Sequence, residues 1–300
     1  MTYPKQPKLS IVIAAWNNAS LLSNCLASLE KQVDGEEIEV IVMSNYDGAS
    51  EEMKRQFPFA QFVRLHEEAT VPELRAQGVL RSTGKIVALL EDHCSFDANW
   101  RAEIEKAHEL PYSVIGGAVE NGSDQKPLDW AVYFYDYGKY MPPDRARVVT
   151  TLSGANVSYK REALEEIVNF YCNGFYENFV HDELQRRGYA LYLMPSAIVY
   201  HDKNYLTNYA LTQAFHHARA FAAKRISDAP PSSRVIFVMK SLVLPILLPS
   251  RIVVGIFHKG RHRKELLKSL PYLLLLLTGW SYGEFCGYLF GEGNSAGKWR

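Results

Sequence analysis

Apolar residues fall along this chain in short runs separated by amphipathic stretches. Leu9 to Ala15 (LSIVIAA), Ile38 to Met43 (IEVIVM) and Ile86 to Leu90 (IVALL) are rich in β-branched side chains, and polar or turn-forming residues close each of them. Runs of this length read as strands buried on both faces. Between the first two, Leu22, Cys25, Leu26 and Leu29 recur at helical spacing, and Ser20 is placed to cap a helix over Leu21 to Gln32. A third strand is predicted near Phe62 to Leu65. A helix over Pro72 to Ser82, carrying Arg75, then delivers the chain to the Lys85–Leu90 strand. Strands alternating with helices through short links predict a doubly wound α/β domain with right-handed crossovers.

The polar residues gather where these strands end, and open α/β sheets bind ligands beyond the carboxyl ends of their strands. Trp16-Asn17-Asn18 follows the first strand, Ser44-Asn45-Tyr46-Asp47-Gly48 the second, and Glu91-Asp92-His93 the Lys85–Leu90 strand. Two acids and an imidazole at a crevice mouth suit a divalent cation, and a cation suits a diphosphate. The plain alternative is a turn cap at Asp92 and a solvated Glu91. No GxGxxG and no P-loop follows the first strand, which counts against a dinucleotide oxidoreductase and a Walker-type NTPase.

The segments SIVIAAWNN, EVIVMSN, LRAQG and ALLEDH, then LSGANVSYKREAL and YENFVHDELQRRGYALYLMPSAIVYH, resemble in order and spacing the family 2 glycosyltransferases. The resemblance runs from residue 8 to residue 202. It implies a GT-A type fold, a doubly wound mixed sheet, with a nucleotide-diphospho-sugar donor and a divalent metal, Mg2+ or Mn2+. Ala14, Trp16, Asn17, Ser44, Asn45, Arg75 and Glu91 would then contact the donor. Glu91-Asp92-His93 stands where the family carries Asp-x-Asp, which makes Asp92 the acid at the metal, with His93 and His201 as further ligands. Glu177 is assigned as general base, and Asp182 is the fallback because the spacing to Arg186-Arg187-Gly188 is short of the usual pattern. The plain alternative for both is a helix-start carboxylate favoured by the dipole.

The chain departs from the family at three places. Ser44-Asn45 replaces an Asp after the second strand, though amide and hydroxyl still hydrogen-bond a base. Arg75-Ala76 replaces Arg-Asn, and Arg75 keeps the phosphate-binding guanidinium. Glu177-Asn178 replaces Glu-Asp. Leu152 to Tyr159 is expected to floor the acceptor side, with Ser153-Gly154-Ala155 allowing close approach. The aromatics of Asp129 to Tyr140 either line an acceptor groove or pack as core.

Charge changes the picture after residue 202. Residues 1–202 carry 19 Lys+Arg against 29 Asp+Glu, and the remainder 14 against 4, within an overall net charge of zero. The tail is therefore a second region, 203–300, helical, basic and apolar. Tyr205 to Arg225 reads as an amphipathic helix whose adjacent His216 and His217 do not face one metal and are read as surface. After Pro230-Pro231 come two apolar stretches, Val235 to Phe257 and Leu266 to Phe290, joined by HKGRHRKELLK. Pro245, Pro249, Lys240 and Arg251 argue against a simple span, and a spanning pair would put the basic link on the wrong side. Interfacial or re-entrant helices on an anionic membrane surface at the cytoplasmic face are expected instead, with a soluble dimer as the alternative. Nucleic acid is not the expected partner.

The N-terminus has no signal-peptide pattern, and the scattered Cys25, Cys94, Cys172 and Cys286 favour a reducing compartment. The function expected is an inverting transfer of a sugar to a hydroxyl of a glycan or lipid-linked acceptor. The alternatives are an inactive nucleotide-sugar-binding protein of this fold and a nucleotidyltransferase, although AAWNNAS is not the glycine-rich basic loop of the latter.

Overall fold

The computed structural model describes residues 6–16, 19–33, 37–46, 50–123, 126–227 and 229–298. Asn17, Asn18, Asp47 and Gly48 lie outside the described residues. The chain folds as two compact units, residues 1–122 with 140–202, and residues 123–139 with 203–300. The expected division at residue 202 thus left 123–139 with the first region, whereas this segment joins the second unit.

The first half of the first unit alternates strictly: β1 (Leu9–Ala15), α1 (Ala19–Glu30), β2 (Ile38–Ser44), α2 (Glu51–Gln56), β3 (Ala60–Arg64), α3 (Val71–Arg81) and β4 (Ile86–Glu91). β5 (Cys94–Phe96), α4 (Trp100–Ala107) and β6 (Val114–Asn121) follow. After α5 (Pro127–Asp136), which belongs to the second unit, come β7 (Arg147–Val149), β8 (Asn156–Lys160), α6 (Arg161–Glu165), α7 (Val168–Tyr171), α8 (Glu177–Arg186) and β9 (Leu191–His201). The sheet runs β3-β2-β1-β4-β8-β6-β9-β5, with β7 paired to β9. The first four strands are parallel, and β8 enters antiparallel to β4 and β6, so the sheet is mixed.

All seven residues of β1 and the first five of β4 are buried, as runs that are apolar but for Ser10 require, and the Ser10 hydroxyl accepts from the Gly84 N–H at 2.7 Å. One buried amide ties the second half together. Asn156 accepts from the Trp100 indole and donates to the carbonyls of Ala118 and Ala197, all at 2.9 Å. That gives the amide a partner on both sides in a site that excludes water.

Register sets the site. Ala14 lies level with Met43 on one side and Glu91 on the other, so β1, β2 and β4 end together. Cys94 lies opposite His201, which brings the end of β9 beside the turn after β4.

The second unit comprises α5, α9 (Thr207–Arg225), α10 (Pro231–Ser241), α11 (Leu244–Lys259) and α12 (Arg263–Phe290). Gly279, Gly283 and Gly287 of α12 meet Leu211, Phe215 and Arg219 of α9, and a methyl on Gly283 would stand 2.4 Å from the Phe215 carbonyl oxygen. Only a missing side chain lets the two backbones approach so closely. Glu284 is buried here, accepting from Trp280 and Tyr288 at 2.8 Å each. Trp130, Tyr133 and Phe134 of α5 are buried as well, so these rings pack as core.

His216 and His217 are half-buried rather than surface residues. His216 shares a hydrogen bond with Ser295 at 3.0 Å, and His217 packs edge-on against Trp280. The expected stretch Val235 to Phe257 is broken. Among the described residues no single helix is long and apolar enough to cross a membrane. Ser232–Ser241 and Leu244–Lys259 pass that test only together, and they are bent by 61°.

Candidate active site

The strand ends place the acidic turn. Glu91 is the last residue of β4, and successive strand side chains point to opposite sides. Asp92 and His93 form the turn that follows, and His93 lies between the two carboxylates. Asp92 is buried, and its Oδ2 accepts from the backbone N–H of Trp16 at 2.8 Å, strapping the turn after β4 to the loop after β1. Its Oδ1 meets His93 Nδ1 at 2.9 Å, while His93 Nε2 meets Glu91 Oε2 at 3.1 Å. The His201 ring stands edge-on to His93 with centroids 4.8 Å apart.

Glu91, His93 and His201 consequently offer one oxygen and two nitrogens within 4.8 Å of one another. Asp92 is not of this group. Asp92, the acid expected at the metal, touches the group through His93.

Burial pushes the Glu91 carboxyl up, but the hydrogen bond and charge of His93, then Arg75 and His201, outweigh it and hold the carboxyl well below its usual range. Burial likewise disfavours the His93 imidazolium, and the carboxylates of Asp92 and Glu91 overcome that and raise its pKa to about 9. Free Cys25 and Cys94 are buried nearby, and burial pushes both thiols up, so neither is a ready nucleophile.

Arg75 extends the group. Its helix starts with a capping box, in which Thr70 accepts from the Glu73 N–H and the Glu73 carboxylate accepts from the Thr70 N–H. That start points Arg75 inward, where its guanidinium is buried and donates to two carboxylates, Glu91 Oε1 at 2.9 Å and Glu177 Oε2 at 2.8 Å. Glu177 opens α8 and leans on Gly154, where a methyl group would stand 2.8 Å from Cδ and 2.9 Å from Oε1. Asp182 is exposed further along α8 and is not brought to the group.

The remaining expected donor contacts line the same strand ends. Ala14 is buried within β1. Ser44 donates to the Tyr46 carbonyl at 3.0 Å, so its hydroxyl hydrogen is taken. Asn45 is buried and spends its amide hydrogens on the carbonyls of Glu67 and Ala69 at 3.1 and 3.4 Å, while its Oδ1 has no partner among the described residues. Asn17 lies outside the described residues. The Gly154–Glu177 contact and the Trp16–Asp92 strap escaped the sequence reading, although the capping box was legible as Thr-x-x-Glu.

Two solved structures share this arrangement of strands and helices. The mannosyltransferase PcManGT from Pyrobaculum calidifontis, in complex with GDP-Man and Mn2+, is 15% identical with a TM-score of 0.56, over 93% of this chain and 87% of that one. GalNAc-T7 with UDP, GalNAc and Mn2+ is 14% identical with a TM-score of 0.51, over 65% of this chain. The match spans 44% of the GalNAc-T7 chain. At such identities the likeness establishes the fold, a GT-A-like mixed sheet with C-terminal helices. No curated protein matches the sequence. The family described as Glycosyl transferase family 2 matches residues 10–168, more than half of the chain. The chain belongs to that family and is a glycosyltransferase.

Proposed function

We propose that the chain transfers a sugar, with inversion, from a nucleotide-diphospho-sugar to the hydroxyl of a glycan or lipid-linked acceptor at the cytoplasmic face of a membrane. One observation carries the catalytic part. Glu177, Arg75, Glu91, His93 and His201 form an unbroken chain of contacts beyond the ends of β1, β2 and β4. The basic and apolar character of residues 203–300 supports the membrane part.

The donor set fits a divalent cation, since one anionic oxygen and two imidazole nitrogens converge from a turn and a strand end. Two imidazoles suit Mn2+ better than Mg2+, which favours an all-oxygen shell. Glu91, His93 and His201 would hold such an ion, which would supply Lewis-acid stabilisation of the departing diphosphate charge. Asn45 Oδ1, without a partner among the described residues, suits a ring N–H of a base. Arg75 fixes the direction of the Glu177 carboxylate. Glu177 takes the acceptor proton as the hydroxyl attacks, and the opposite face of attack inverts the anomeric carbon.

Nucleoside diphosphate release from a panel of uridine, guanosine and thymidine sugars, with Mn2+, tests this reading. Glu177→Gln is expected to leave donor affinity unchanged and to lower turnover by about 10²–10⁴-fold. If Asp182→Asn abolishes turnover and Glu177→Gln does not, the base is Asp182.

A further inference from the structure

Of the large apolar side chains exposed among the described residues, only Leu80, Val148 and Phe170 belong to the first unit. The others lie in the second unit, concentrated on α10, α11 and the outer side of α12. Val235, Ile236 and Met239 stand out from α10, and Leu242 and Val243 from the joint between the two helices. Ile246 of α11 is 74% exposed and Val254 is 68% exposed. Such a concentration is costly in water unless something covers it.

Its charge says what does. Residues 231–270 contain eight Lys+Arg and one acid, Glu265. Arg234, Lys240, Arg251, Arg261, Arg263 and Lys264 are all exposed. A second copy laid on this surface would bring like charge against like, which costs binding. An anionic bilayer meets both features at once, headgroups on the cations and acyl chains on the apolar residues.

The mode follows from length. At 1.5 Å per residue, α10 is about 16 Å long and α11 about 24 Å, against a hydrocarbon core of about 30 Å. The 61° bend between the arms prevents their adding into one straight span. α12 is long enough, but it buries Glu284, Ser269 and Ser281 within the unit. We infer that α10, the α10–α11 joint and the exposed side of α11 form an in-plane anchor seated in a single leaflet of an anionic membrane. This deepens the membrane-face part of the proposed function, and a test that reads lipid binding alone leaves the assignment of Glu177 and the metal ligands standing whatever its outcome.

Flotation of the full chain with vesicles of phosphatidylcholine alone, and with 30% phosphatidylglycerol added, tests it. Binding is expected only with the anionic lipid, and raising the salt should release the protein. One charge near such a surface is worth about five-fold in affinity, so Arg261→Gln, Arg263→Gln and Lys264→Gln together should weaken binding about 100-fold. Ile246→Ser with Val254→Ser, both exposed and harmless to packing, should weaken it by a separate and salt-independent factor. Circular dichroism confirms that each variant is folded. A lipid-free dimer in light scattering that ignores anionic vesicles would overturn the anchor in favour of a self-interface. Resistance to alkaline carbonate extraction would overturn the single-leaflet seating in favour of a span.

Discussion

Glu177 is held between two constraints, a guanidinium on one oxygen and a glycine beneath the other. Gly154→Ala places a methyl group where the Glu177 carboxylate now lies, so the carboxylate must shift. A misplacement of about 1 Å in a reacting group is worth about 10²-fold in rate. Turnover should therefore fall steeply while the KM for the donor stays within a few-fold, a split that steady-state kinetics reads directly. Equal losses in both would mean that Gly154 serves the fold instead. Glu91 and His93 were legible from their place after the Ile86–Leu90 run, whereas Arg75, His201 and Glu177 were named from the resemblance to the family's motifs. Gly154 was placed near the acceptor, but nothing in a linear sequence ties it to Glu177. Asp92 accepts from the Trp16 N–H through Oδ2 and meets His93 through Oδ1, a bridge that a linear sequence does not show.

Elements carry a different kind of consequence. His108 ends α4 and is buried against β8, with Nε2 2.8 Å from the Ser158 hydroxyl. Burial, with the charge of Lys160, holds its pKa down at about 3. An unfolded histidine titrates near 6.5. Between these values the unfolded chain takes up a proton that the folded chain refuses, so stability falls as the pH drops below about 6.5. The loss reaches about 1.4 kcal/mol per pH unit. Urea unfolding at pH 7, 6 and 5 should show this slope in the native chain and a shallower one in His108→Gln. Parallel slopes would assign the acid sensitivity elsewhere. The apolar runs located β1, β2 and β4 closely, because strands buried on both faces have few alternatives. The bend between α10 and α11 was hidden, since hydropathy reports composition and not direction. Pro245 and Pro249 were visible, but Pro245 sits in the first turn of α11, where proline is tolerated, and only Pro249 lies inside the helix.

At the scale of the whole molecule, the charge asymmetry pointed to two regions, and the boundary near residue 202 coincides with a boundary between units. The transfer of residues 123–139 to the second unit was not legible, because it rests on packing between α5 and α12, segments more than a hundred residues apart. The residues proposed for catalysis, by contrast, all fall within the first unit. The central claim is that Glu91, His93 and His201, not Asp92, hold the cation that binds the donor diphosphate. Calorimetric titration of the full chain with UDP and GDP, with and without Mn2+, tests it most directly. In the native chain Mn2+ should tighten binding of the preferred nucleotide by at least about ten-fold, a coupling of about 1.4 kcal/mol. His201→Ala should lose that increment, while Asp92→Asn should keep most of it. Nucleotide binding indifferent to Mn2+, or an increment lost with Asp92→Asn and kept with His201→Ala, would contradict the account.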